Sequence, residues 1–216
     1  MRIATVSRNL MLIGLLLALP KLNDARANVS TEHKAEVTEA EYEVLSAYIS
    51  HALTGEEGRL RVGHEVSSIV IINTTQSDRD DSQNEFKASS LASLKRLLRR
   101  KVPRLEVAMI EAFRAANTKD MTLRPSFHLA VGFQLVDYAE IQSIFKERDW
   151  PGYNEKYPGS PGWLALSRVG FNPRGNQALF YAVNVCGGLC GFADYVVMEK
   201  HASEWQVVKE IEVWGS

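Results

Sequence analysis

Cysteine is scarce in this chain: Cys186 and Cys190 are the only two in 216 residues. Two thiolates supply half of a tetrahedral zinc site, and no histidine stands at ligand spacing beside them. Histidine itself is scattered, at His33, His51, His64, His128 and His201, without His-Glu-x-x-His or related spacing. The serine-hydrolase motif Gly-x-Ser-x-Gly is missing. Gly159-Ser160-Pro161-Gly162 resembles it only superficially, because Pro161 and a loop setting do not suit a strand-to-helix elbow. Carboxylates are plentiful, but none can be paired across a cleft from the sequence, and His64-Glu65 is the first pair to test. The net charge is −1, so the basic field that general nucleic-acid binding needs is lacking. No apolar run reaches the roughly twenty residues that span a hydrocarbon core. Internal repeats and low-complexity tracts are missing too.

What is present begins with an export pattern. Arg2 and Arg8 precede an apolar run, Leu10–Leu19, and Ala25-Arg26-Ala27 offers small residues where a signal peptidase reads. Cleavage after Ala27 is expected, with 28–37 as a flexible lead-in and 38–216 as one domain. Removing Arg2, Arg8, Lys21 and Arg26 against one acid, Asp24, takes the net charge from −1 to −4. An oxidising compartment makes a disulfide the simplest reading of Cys186-Gly187-Gly188-Leu189-Cys190. A redox couple and a metal site are the alternatives. Gly187, Gly188 and Gly191 permit the positive φ that a three-residue hairpin loop with a bulge uses.

Hydrophobic periodicity predicts the elements. Thr38 and Glu41 form a capping box ahead of Tyr42, Leu45, Ile49 and Leu53 at helical spacing. Val66–Ile72 reads as a buried strand. Ser90–Lys101 and Leu105–Asn117 read as helices separated at Pro103. Phe127–Val136 alternates as a strand with one buried face, and Asp137 caps a short helix. Pro151–Gly162 reads as a loop. Four closely spaced strands follow: Leu164–Phe171, Gln177–Val185, Ala193–Lys200 and Trp205–Trp214. The expectation is an α+β domain, an antiparallel sheet with a C-terminal four-stranded meander, packed against several helices that cover one face.

Three surfaces could meet a partner. Trp150, Tyr153, Tyr157 and Trp163 concentrate large rings in one segment, suited to a ligand or to pinning the loop on the sheet. Lys95, Arg96, Arg99, Arg100 and Lys101 could meet an anionic surface such as phosphate headgroups, or complement a helix C-terminus. Arg168, if it faces inward, needs an anion, either a protein carboxylate or a ligand; the alternative is an exposed strand arginine.

The run Leu166-Ser167-Arg168-Val169-Gly170-Phe171-Asn172, the strand Ala178-Leu179-Phe180-Tyr181, the Cys-Gly-x-Leu-Cys-Gly tip and Trp214-Gly215-Ser216 together carry a resemblance. They resemble an uncharacterised family of exported bacterial proteins, as do Glu41-Tyr42 and Tyr157-Pro158-Gly159-Ser160 upstream. The likeness is dense only from Trp150 onward, and Ala182 and Ala193 stand where several members have Tyr or Val. It implies export and the meander, and brings no catalytic residue. The reading that results is an exported, periplasmic or secreted, soluble binding or interaction module. It takes no cofactor and no metal and does not bind nucleic acid, and its partner would be a protein, peptide or glycan of the cell envelope. The alternative is a small extracytoplasmic hydrolase with a cleft between helices and sheet.

Overall fold

The computed structural model describes residues 36–54, 60, 66–76 and 90–215. The expected leader, most of the lead-in, His33, His64-Glu65 and the bulk of the polar loop after β1 lie outside the described residues. No helix among the described residues is long and apolar enough to cross a membrane.

Helix α1 spans Glu39–Thr54, and its start is the predicted capping box. The Thr38 N–H donates to Glu41 Oε2 at 2.8 Å, and the Glu41 N–H donates back to Thr38 Oγ1 at 3.3 Å. Strand β1 is Ser68–Ile72. Helix α2, Leu91–Lys101, is capped by the Ser90 side chain, and α3 is Val107–Ala116. Strand β2 is Gly132–Val136, followed by α4, Tyr138–Glu147, with Asp137 accepting from the Ala139 N–H. Helix α5 is Asp149–Lys156. Strands β3 (Trp163–Leu166), β4 (Gly170–Phe171), β5 (Gln177–Gly187), β6 (Cys190–His201) and β7 (Glu204–Gly215) complete the chain.

The architecture is α+β: a seven-stranded sheet in the order β2-β1-β3-β5-β6-β7, with β4 also on β5. The C-terminal meander is antiparallel throughout, its first run broken into β3 and β4 at Ser167–Val169. The other half of the sheet is parallel: β1 runs alongside both β2 and β3, with Ser68 facing Gly132 and Val70 facing Trp163. Each parallel step contains a helix pair, α2–α3 or α4–α5, which supplies the long crossover that parallel strands need.

Helices cover both faces, not the one expected. Helix α1 lies over the face formed by Ile69, Ile71, Leu164, Leu166, Phe180, Val196 and Met198. On the opposite face α2–α3 pack on Leu179, Tyr181, Tyr195, Val197 and Ile211, and α4–α5 on Val70, Ile72 and Ala165. The reason shows in β5 and β6, where successive residues from Ala178 to Ala182 and from Phe192 to Met198 are all buried. A strand buried on both sides loses the alternation of a one-faced strand.

Two local readings are corrected. Only 132–136 of the alternating segment 127–136 joins the ladder. Phe127 instead packs edge-on against Tyr42 and Phe133, and the His128 N–H donates to Ser46 Oγ at 3.0 Å. The segment 151–162, read as a loop, is half helix. Pro151 occupies the first turn of α5, where its missing N–H is not needed.

Candidate functional site

The cysteine tip, the aromatic segment and the last strand come together at one end of the sheet. β5 and β6 reverse through Gly188-Leu189, with Gly187 opposite Cys190 and a register shift between Val185 and Gly187 that leaves Cys186 bulged. Cys186 and Cys190 are disulfide-bonded, with Cα atoms 5.0 Å apart. Gly187, Gly188 and Gly191 are not among the positive-φ glycines, contrary to the expected turn chemistry: the reversal is a two-residue loop, Gly188-Leu189, and not the three-residue loop expected. Leu189 stands out at the apex, 89% exposed. Trp214 of β7 lies over Gly191, where an added Cβ would meet the indole at 2.7 Å.

The loop leaving α5 braces the base of this tip. Gly162 has φ of +100°, and a side chain there would overlap the Val185 carbonyl and the Cys186 backbone. Only glycine combines that φ with so close an approach. Trp163 then enters the sheet opposite Val185.

The four predicted aromatics do assemble, chiefly as core. Trp150 and Trp163 stack with centroids 5.4 Å apart, and Phe145 meets Trp150 edge-on at 5.0 Å. Tyr153 and Tyr157 are 0% and 3% exposed, so neither ring offers a face to a ligand. Trp150 and Trp163 keep partial exposure. The Tyr153 hydroxyl lies 3.1 Å from Ser160 Oγ, which donates to the Gly162 carbonyl at 2.7 Å. Burial, first of all, pushes both phenols well above their ordinary range, so each remains a protonated donor at physiological pH. Tyr157 donates to Glu140, which also pairs with Lys156 at 2.7 Å. The Lys156 and Tyr157 hydrogen bonds together hold the Glu140 carboxyl below its ordinary range. Outside the rings, α4 and α5 flank an open groove of about 450 Å³ in which Glu140, Glu147, Arg148, Glu155 and Lys156 stand around Ile144 and Gly152.

Arg168 belongs elsewhere, and its anion is internal. Its Nε and Nη2 donate to Glu41 Oε1 and Oε2 at 2.6 and 2.8 Å, a bidentate pair in which the side chains are 11% and 3% exposed. Glu41 accepts the Val169 N–H at 3.1 Å as well. The Arg168 main chain is clamped by Asn117, whose Oδ1 accepts its N–H at 2.8 Å and whose Nδ2 donates to its carbonyl at 3.0 Å. With Ser167 Oγ accepting the Tyr181 N–H at 2.8 Å, this node bolts α1 and α3 to the gap between β3 and β4. Of the readings offered for Arg168, the structure shows the inward one, with a protein carboxylate, Glu41, as its anion.

Asp194 escaped the sequence reading. It is wholly buried in β6, opposite Ala182 on β5 and Glu212 on β7. The available signal was an acid inside the apolar run Ala193–Met198. No group of three or more His, Cys, Asp or Glu among the described residues is arranged to hold a metal ion.

Compared with protein-family models, with curated proteins and with solved structures, the chain matches none.

Proposed function

We propose that this protein is an exported binding module that contacts a protein or peptide of the cell envelope through its disulfide-closed tip. The observation that carries the reading is Leu189, 89% exposed on a turn cross-linked by Cys186 and Cys190. A cross-linked apex has little conformational freedom left to lose on association, which lowers the cost of binding. Partly buried Trp214 beside it adds an aromatic with a polar edge, the kind of residue that dominates protein contacts. The leader pattern in Met1–Ala27, the paired cysteines and the likeness to exported bacterial proteins support the location, periplasmic or extracellular after cleavage. The braced Pro161–Trp163 loop serves here as the tip's foundation, which replaces the expectation that the aromatic segment is itself the contact surface.

The test is a photoreactive side chain placed at position 189 of the full-length protein, exported from a bacterial host. One discrete adduct is expected, lost on a second-site change at Trp214 and unaffected by one at Glu204, at the opposite end of β7. N-terminal sequencing of the exported chain should begin at Asn28. Adducts of equal yield from positions 189 and 204, or a chain retained in the cytosol with its leader, would overturn the reading. Leu189→Asp should abolish the adduct partner's co-purification while leaving thermal stability unchanged.

A further inference from the structure

The cations of α2 are placed unlike the arginines elsewhere in the fold. Arg124, Arg148, Arg168 and Arg174 each pair with a glutamate. Arg96, Arg99, Arg100, Lys101 and Arg104 have no carboxylate partner among the described residues, and Lys95 alone is paired, with Glu111 at 2.6 Å. These six charges fall within 95–104, a stretch without one acid, on a chain whose net charge is −1.

At about 100° per residue, Lys95, Arg96, Arg99 and Arg100 occupy the face opposite Leu94 and Leu98, which are fully buried. Arg96, Arg99, Arg100, Lys101 and Arg104 are all exposed, and the space between Lys95, Arg96, Arg99, Arg100 and Pro103 is an open hollow of about 440 Å³. Complementing the helix dipole accounts for charges in the last turn only, since that field fades within one turn. It does not account for Lys95 and Arg96 before that turn, nor for Arg104 beyond the helix. Like charges at i, i+3 and i, i+4 also repel, so the arrangement costs helix stability unless an anion meets it.

We propose that the outer face of α2 docks the protein reversibly on membranes rich in anionic headgroups. The basic surface is open to solvent and runs from Lys95 to Arg104, and its hollow is shallow and unenclosed, which fits an extended sheet of negative charge better than an enclosed small anion. The residues 90–105 include no aromatic that could stack on a base, as single-stranded nucleic-acid surfaces use. No large apolar side chain is exposed on α2, so attachment is electrostatic and shallow. Trp214 borders the same hydrophobic cluster as Leu94 and Leu98, but the α2 cations lie on the helix's other side, and the inference stands whether or not the tip binds.

The test is flotation of the full chain with vesicles of phosphatidylcholine alone, or of phosphatidylcholine and phosphatidylglycerol in equal parts. Binding is read as the excess on the anionic vesicles and compared with the glutamine variant below, so the contribution of the leader, with its own Arg2, Arg8, Lys21 and Arg26, is common to both and cancels. Each cation is expected to contribute about fivefold to partitioning, so Arg96→Gln, Arg99→Gln, Arg100→Gln and Lys101→Gln together should lower it by about a hundredfold or more. Raising salt from about 0.1 M to 1 M should release the protein, because the screening length falls from about 10 Å to about 3 Å. Exchanging the three arginines for lysine should preserve binding. No excess on anionic vesicles, or equal binding by the glutamine variant, overturns the proposal. So does release by inorganic phosphate at matched ionic strength, which would mark a small-anion site. Tighter binding to a DNA oligonucleotide or to polyglutamate at the same salt would overturn it equally.

Discussion

Arg168 and the arginines of α2 are the same side chain put to opposite uses. Arg168 sits where β3 gives way to β4, nearly buried, with Glu41 across from it and the Asn117 clamp on its main chain. Arg96, Arg99 and Arg100 project from a helix whose other side is leucine, and no carboxylate among the described residues pairs with them. What separates the two is where the counter-charge comes from. Arg168 draws its anion from a residue far off in the chain, and the fold depends on the match. On the proposal made above, the α2 arginines find theirs outside the molecule, and the fold should be indifferent to them.

Glu41→Ala would test that contrast most severely. It leaves a guanidinium almost buried without its counter-charge, removes the capping box of α1, and orphans the Val169 N–H. The loss expected is about 3–5 kcal/mol, read from urea unfolding. A loss below about 1 kcal/mol, typical of an exposed pair, would show that water reaches the node. Glu140 should fall between the extremes. Its folded pKa is lowered by Lys156 and Tyr157, so its contribution is present above the unfolded value near 4.3 and fades as pH falls through the lower folded value. The wild type should therefore exceed Glu140→Gln in stability at neutral pH, and the gap should close in acid below about pH 4. A gap that widens in acid would break the assignment. The smallest effect belongs to α2, where the fourfold glutamine variant should change unfolding free energy by no more than about 0.5 kcal/mol. A larger loss would mean that these cations hold the fold together after all.

Much of the fold was legible because its signals are local. The capping box at Thr38 and Glu41, the leucines of α2, and the short connections of the meander each lie within a dozen residues. The features that were not legible depend on partners far away in sequence. Nothing near Ser167–Val169 announces a break in the strand. The break exists because Asn117 and Glu41 take the Arg168 and Val169 N–H groups, while the Ser167 side chain takes the Tyr181 N–H. The alternation of 127–131 reports burial correctly, but Phe127 meets Tyr42 of α1 and not a neighbouring strand. Proline and glycine in 151–152 suggested a loop. Yet Pro151 is harmless in a first turn, and Gly152 is what allows α5 to lie against Ile144 of α4. As for the candidate site, the cysteine pairing and the clustering of the aromatics were readable. Which rings stayed exposed was not, since that depends on the depth at which α5 seats.

Strand β1 has a consequence for how the chain reaches this state. It lies inside the sheet, between β2 and β3, and its partners begin as far downstream as Gly132 and Trp163. Synthesis delivers Ser68–Ile72 long before either neighbour exists, whereas β5, β6 and β7 can zip together as soon as they appear. Such distant pairing is slow, because loop closure must come before any contact rewards it. A five-residue apolar strand with nothing to pair with is also open to the wrong partner in the meantime. The slowest step in assembly should thus be the insertion of β1 into a slot bounded by a nearly finished meander, and crowding should harm yield at that step first.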